Sequence, residues 1–215
     1  TNNPSKDSLK LPQLIALKAS ADATLADVIT KNTNYNNKVN ERITAFSGLK
    51  SLSTRLVNAL QTTDATTETI GNAKTFNRKM QGKKASSSQT PTDPNTPAPN
   101  TISTSQQSYD QLIQHLAGLT SILEAETSYT PNETDLQVAT LQTKIADLTA
   151  KNTAVATAYA SISNSRIARN ETLYSSSTGL VETANEVKKY IKSVFGASSP
   201  QFAQVKGIQF KIIKN

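Results

Sequence analysis

The sequence predicts an all-α protein: an elongated antiparallel helical bundle with coiled-coil-like seams, internally pseudo-duplicated, with a short strand-like C-terminal tail. Three observations carry that prediction. Apolar residues recur by threes and fours over long stretches, the spacing that lines one face of a helix. Small polar residues fill much of the rest, with 29 Thr, 23 Ser and 18 Asn in 215 residues. The pattern of the first third also returns, with gaps, in the second half.

The first stripe is Leu14, Leu17, Ala21, Leu25, Val28, Asn32, Tyr35, Val39, Ile43, Phe46 and Leu49. A shorter helix is expected over residues 65–81, with Ile70, Ala73, Phe76 and Met80 on one face. Residues 85–103 hold four Pro and almost no apolar side chain, so they form a linker that cannot bury enough surface to order itself. Helical spacing resumes over 105–127, where Tyr109, Leu112, Ile113, Leu116, Leu119 and Leu123 share a face.

The longest stripe follows. Val138, Leu141, Ile145, Leu148, Asn152, Val155, Tyr159 and Ile162 alternate by three and four residues. The run Thr130-Pro131-Asn132-Glu133 offers a capping Thr, Pro at the first helical position and Glu three residues after the cap. After Arg166, Arg169 and Leu173 the stripe slips phase and resumes through Leu180, Ala184, Val187, Ile191 and Val194. Gly196, followed by Pro200, marks its stop. Unbroken, this helix would span ~95 Å at 1.5 Å per residue. The run Ser175-Ser176-Ser177-Thr178-Gly179 predicts a kink. Beyond it, residues 205–212 alternate apolar and polar, which reads as a strand. Such a tail either packs Phe202 and Phe210 onto the helices or adds as a strand to a partner or a second copy.

The organisation expected is therefore a first helical half at 1–84, a linker at 85–103, a second half with the long helix at 104–196, and a basic strand-like tail at 197–215. Shifting the chain by 120 residues lays Leu25-Ala26-Asp27-Val28 on Ile145-Ala146-Asp147-Leu148, and Lys31-Asn32-Thr33 on Lys151-Asn152-Thr153. This is one doubling, without the fixed period of a solenoid.

The run Tyr129-Thr130-Pro131-Asn132-Glu133, then Leu141 to Asn152, then Tyr190 to Phe202, resembles uncharacterised all-helical proteins of Bacteroidetes-type bacteria. The resemblance covers residues 105–212. It implies a helical fold and carries over no activity.

Catalytic chemistry finds little to work with. No Cys is present, which removes disulfides, thiolate metal sites and cysteine nucleophiles. The single His115 removes multi-histidine metal sites and has no second ligand at helical spacing, so a surface or half-buried position is expected for it. Glu124 and Glu126 are two residues apart and point to different sides of a helix, and Glu133 and Asp135 suit the positive end of a helix dipole. No glycine loop could cradle a phosphate. Neither a cofactor nor a metal is expected, and the chain reads as a non-enzyme.

Interaction residues are more visible. Asn32 and Asn152 occupy seam positions, where a buried Asn costs stability but selects register. They would lock the halves if paired, or else sit at a wet bundle edge. Replacing Asn152 by Leu is then expected to raise stability and loosen register. Lys74, Arg78, Lys79, Lys83 and Lys84 give +5 within 70–90, and Lys188, Lys189, Lys192, Lys206, Lys211 and Lys214 give +6 within 187–215. Of a net +7, that leaves −4 elsewhere. Both clusters fall where cations offset a helix dipole, and both would also suit nucleic acid or an anionic surface. Ile208, Phe210 and Ile212 form the apolar side of the tail.

The function expected is that of a non-enzymatic structural or scaffold protein, acting by helix packing and self-assembly into a homo-oligomer or filament, or by binding another protein. The alternative is a polyanion-binding accessory protein using the Lys clusters. No apolar run approaches the ~18 residues that cross a bilayer. Met80 is the only Met, Thr1 could follow a trimmed initiator, and nothing at the start reads as a leader. A cytoplasmic place, or export without a recognisable leader, is expected.

Overall fold

The computed structural model describes residues 3–82 and 107–212. It is an all-α helical bundle, with no strand among the described residues. The helices are α1 (Leu11–Phe46), α2 (Leu49–Leu60), α3 (Thr67–Gln81), α4 (Tyr109–Ala125), α5 (Val138–Tyr174), α6 (Leu180–Phe195) and α7 (Pro200–Lys206). Short 3₁₀ turns at Asp7–Leu9 and Thr134–Leu136 precede α1 and α5. The expected linker at 85–103, with Lys83 and Lys84, lies outside the described residues. Contacts group the chain into two compact units, one of Thr1–Asn37 with Thr157–Asn215 and the other of Lys38–Ala156.

The Lys38–Ala156 unit has the larger core. Leu49, Leu56, Leu60, Met80, Leu116, Leu119, Leu123, Leu141 and Leu148 are all fully buried. Caps set its helix ends. The Thr66 hydroxyl accepts from the Thr69 amide at 3.2 Å, and Ser108 does the same for Gln111 at 3.3 Å. Gly82 closes α3 in the left-handed region, at φ 74°, where its amide reaches the Arg78 and Lys79 carbonyls. His115, expected at or near the surface, is buried with its ring 6.3 Å from that of Phe76.

The long helix starts later than Pro131. Tyr129 is buried and its hydroxyl donates to the Leu136 carbonyl at 2.9 Å. That bond folds Thr134–Leu136 into a separate turn and buries Leu136, so α5 begins at Val138. Its far end is a break rather than the expected kink. Gly179 is buried and extended at ψ 153°, and it caps α6 afresh. The Thr178 hydroxyl turns to Ser175 at 3.1 Å, the local bonding by which Ser and Thr compete with helix.

In the other unit α1 and α5 run antiparallel. The Ser165 hydroxyl donates to Asp27 Oδ2 at 2.6 Å, and the rings of Tyr35 and Tyr159 lie 5.9 Å apart. The seam between them uses small residues: Ala21, Ala158 and Ser165 are buried, with Ile162. Two stripe positions per helix are therefore corrected. Leu25 and Ile43 of α1 are exposed, while Thr24 and Arg42 are half-buried in their place. On α5, Ala158 and Ser165 are buried while Tyr159 and Arg166 are exposed.

The strand expected over 205–212 is not formed. Ser199 caps α7 by accepting from the Phe202 amide at 3.1 Å, Pro200 takes the first helical turn, and the helix runs to Lys206. Residues beyond it lie across α6. No sheet edge exists among the described residues to pair with them.

Candidate interaction surface

Asn152, half-buried on α5, joins three elements of the Lys38–Ala156 unit. Its Oδ1 accepts from Arg42 Nη1 at 3.0 Å and its Nδ2 donates to Asp110 Oδ1 at 2.7 Å. The Arg42 guanidinium carbon lies over the Tyr109 ring, 4.0 Å from its centroid, and that ring meets Phe46 edge-on at 4.7 Å. Arg42 thus occupies a seam position by laying its stem and planar head on an aromatic. The neutral amide of Asn152 bridges the Arg42 guanidinium and the Asp110 carboxylate. Its two hydrogen bonds tie α1 and α4 to α5 at this level.

Asn32 sits in the other unit. It lines an open recess with Val28, Ile29 and Thr33 of α1 and Arg166 and Arg169 of α5. The antiparallel register there, Asp27 with Ser165 and Tyr35 with Tyr159, sets Asn32 level with Ile162. Asn152 has its hydrogen bonds within the Lys38–Ala156 unit and Asn32 lines this recess in the other, so each has its own environment in place of the expected pairing.

The basic clusters divide. Lys74, Arg78 and Lys79 are exposed on α3, where Arg78 donates to the Thr75 hydroxyl at 3.3 Å and Lys79 lies 5.5 Å from the Phe76 ring centroid. On α6 the Lys188 ammonium donates to the carbonyls of Lys206 at 3.1 Å and Ile208 at 2.6 Å. It therefore acts as the C-terminal cap of α7. Lys192 lies 5.9 Å from the Phe202 ring centroid, while Lys189 is exposed. Ile208 and Phe210 line a cavity of about 200 Å³ with Leu14, Leu17, Val187 and Ile191, and Ile212 is exposed beyond it.

One surface was invisible in the single-stripe reading. Leu11, Ile15, Leu25 and Ile29 of α1 are 69%, 60%, 43% and 68% exposed. Together with Lys18 and Asp22 they alternate by four and three residues, so α1 carries a second heptad on the flank of its seam with α5, about a quarter-turn round the helix. Lys18 Nζ and Asp22 Oδ2 pair at 2.6 Å in its middle. The sequence holds this signal as a second phase of the same period.

Among the described residues no group of three or more His, Asp or Glu side chains could hold a metal ion. No described helix is long and apolar enough to cross a membrane. No family model, curated protein or solved structure matches the chain.

Proposed function

We propose that the chain is a non-enzymatic structural protein that works by self-association, with the outward heptad of α1 as its contact face. The supporting observation is the exposure of Leu11, Ile15, Leu25 and Ile29 on one side of one helix. Single exposed aliphatics are ordinary, but four in heptad register, in two pairs flanking the Lys18–Asp22 ion pair, form an ordered face of the kind that marks an interface. Covering it returns roughly 25 cal/mol for each Å² of apolar surface removed from water.

Light scattering or native mass measurement over a concentration series tests this. The expected result is a concentration-dependent oligomer that Ile15→Glu with Ile29→Glu abolishes, with the melting profile of the dissociated chain preserved. A native chain that stays a monomer throughout contradicts the proposal.

A second reading, an accessory protein for polyanions, draws on α3. Lys74, Arg78 and Lys79 are exposed, and no acid occurs within residues 70–90. Lys188 and Lys192 support it less, since both heads lie against the C-terminal segment. Binding to DNA or acidic vesicles that weakens steeply with salt is its expected signature.

A further inference from the structure

We infer that two copies of α1 associate antiparallel about a two-fold axis level with Ser20, exchanging their Lys18–Asp22 ion pairs between chains. The inference rests on the self-association proposed above and adds its geometry.

The outer heptad of α1 is a palindrome in chemistry. Counting inward from its ends, Leu11 matches Ile29, Ile15 matches Leu25, and Lys18 matches Asp22. Each pair is centred on residue 20. A two-fold contact is self-complementary, so residue i of one copy meets residue j of the other and j meets i. Set antiparallel about that centre, the helices form six layers. The outer four are aliphatic on aliphatic, and the central two are Lys18 on Asp22 from opposite chains.

Orientation follows from charge. A parallel pair in register would stack Lys18 on Lys18 and Asp22 on Asp22 in the middle of the interface, placing like charges together. An antiparallel pair turns the same two residues into two ion pairs. The monomer already holds these side chains together at 2.6 Å, both largely exposed, so the exchange keeps every charge partnered. No other acid or base of α1 lies on this face between Leu11 and Ile29, and Arg166 and Arg169 of α5 line the recess beside Ile29 at its end. Asp27, the next carboxylate, is held on the inner side by the Ser165 hydroxyl at 2.6 Å. Placing the charges at the centre also opposes register slips. Moving either helix by one heptad would set a charge against an aliphatic side chain, and burying a charge without a partner is costly.

The absence of native Cys gives a clean background for a cross-linking test. Full-length Leu11→Cys and Ile29→Cys chains are oxidised separately and as a mixture, at a concentration where the native chain is associated. The expected product is a disulfide-linked heterodimer in the mixture, and little or none from Leu11→Cys alone. Cross-linking of Leu11→Cys to itself overturns the antiparallel geometry while leaving self-association standing. Association without either cross-link overturns the use of this face, and a monomeric native chain removes the reading beneath it. A second measurement reads the charges. Lys18→Asp should weaken dimerisation by about tenfold, equivalent to ~1.4 kcal/mol, and Lys18→Asp with Asp22→Lys should restore it. Unchanged affinity in the single variant places the pair outside the interface and overturns the inference.

Discussion

Arg42 and Asn152 meet side by side at 3.0 Å, an arginine and an amide filling adjoining seam positions of two long helices. Arg42 Nη1 and both amide atoms of Asn152 have partners in that seam, while Arg42 Nε is buried without a hydrogen bond. Arg42 has the Tyr109 face and the Asn152 carbonyl oxygen, and Asn152 has Arg42 and Asp110.

The effect of Asn152→Leu therefore reverses relative to the expectation for an isolated seam Asn. Leucine would remove the acceptor from Arg42 and the donor from Asp110 at once. Stability should fall by about 1–3 kcal/mol, the cost of leaving half-buried polar groups unpaired. Chemical denaturation of the variant, beside Arg42→Leu and the double variant, measures this. The two single losses should be non-additive, with coupling of about 0.5–3 kcal/mol. A more stable Asn152→Leu would mean that Arg42 and Asp110 find water or other partners freely.

Along the seams, burial separates residues that the sequence treats alike. Leu148 is fully buried, and Leu148→Ala should cost about 2–5 kcal/mol in a thermal or chemical melt. Leu25 belongs to the corresponding sequence stripe but is 43% exposed, so Leu25→Ala should stay within roughly 0.5 kcal/mol in the monomer.

That contrast marks what the sequence made legible. The helical class, the C-terminal ends of α3 and α6, and Leu141, Leu148 and Ile162 as core follow from apolar periodicity and, for α6, from the stop at Gly196. On α1 a polar residue, Thr24 or Arg42, took the seam and its apolar neighbour Leu25 or Ile43 was left outside, while on α5 the small Ala158 and Ser165 took it from the bulky Tyr159 and Arg166. Thr24 can face inward because its hydroxyl donates to the Ala21 carbonyl at 2.9 Å, a satisfaction that residue type alone does not reveal. Ser165 does so through Asp27, and Arg42 through Tyr109. The outer heptad of α1 was hidden for the same reason, since a search for one stripe merged Leu25 with the wrong phase. In the tail, alternation suggested a strand, but Ser199 and Pro200 start a helix and Lys188 accommodates its last carbonyls.

Lys188 makes the tail a test of that capping. Lys188→Met keeps the stem over the apolar cavity and removes both hydrogen bonds to the Lys206 and Ile208 carbonyls. Limited proteolysis should then cleave after Lys206 and Lys211 severalfold faster, because opening of the segment becomes easier while the core is unchanged. Equal cleavage rates would show that the cavity lining, with Phe210 and Val205, holds the tail alone.

Tyr129 gives stability an alkaline limit. Burial, with Asp135 and Glu133 nearby, pushes its hydroxyl up to about 12 from an ordinary 10. A group whose pKa rises on folding stabilises the fold fully below its unfolded pKa and loses that contribution as pH climbs toward the folded one. Its share of stability is therefore intact at pH 9 and lost between about pH 10 and 12, as the bond to the Leu136 carbonyl loses its proton. Tyr129→Phe should cost about 1 kcal/mol at pH 8 and progressively less above pH 10, read from denaturation curves at several pH values. A difference that is flat with pH would place the ring in solvent.

Gly118 tests packing against propensity. It lies in the middle of α4, where Ala would favour a helix by about 1 kcal/mol. A Cβ at this position, however, would run into the edge of the Phe76 ring, which α3 lays across it. The ring has little room to move, with His115 on one side and the Lys79 ammonium near its face. Gly118→Ala should therefore destabilise by about 1–3 kcal/mol, the usual cost of forcing extra volume into a packed core. Shrinking the obstacle reverses the sign: in a Phe76→Leu background the same Gly118→Ala change should be neutral or stabilising, because the helix gains its better residue without the clash. A double-mutant cycle by thermal melting reads both effects. Finding Gly118→Ala stabilising in the native background would mean that α3 and α4 approach less closely than the packing of Phe76 over Gly118 requires.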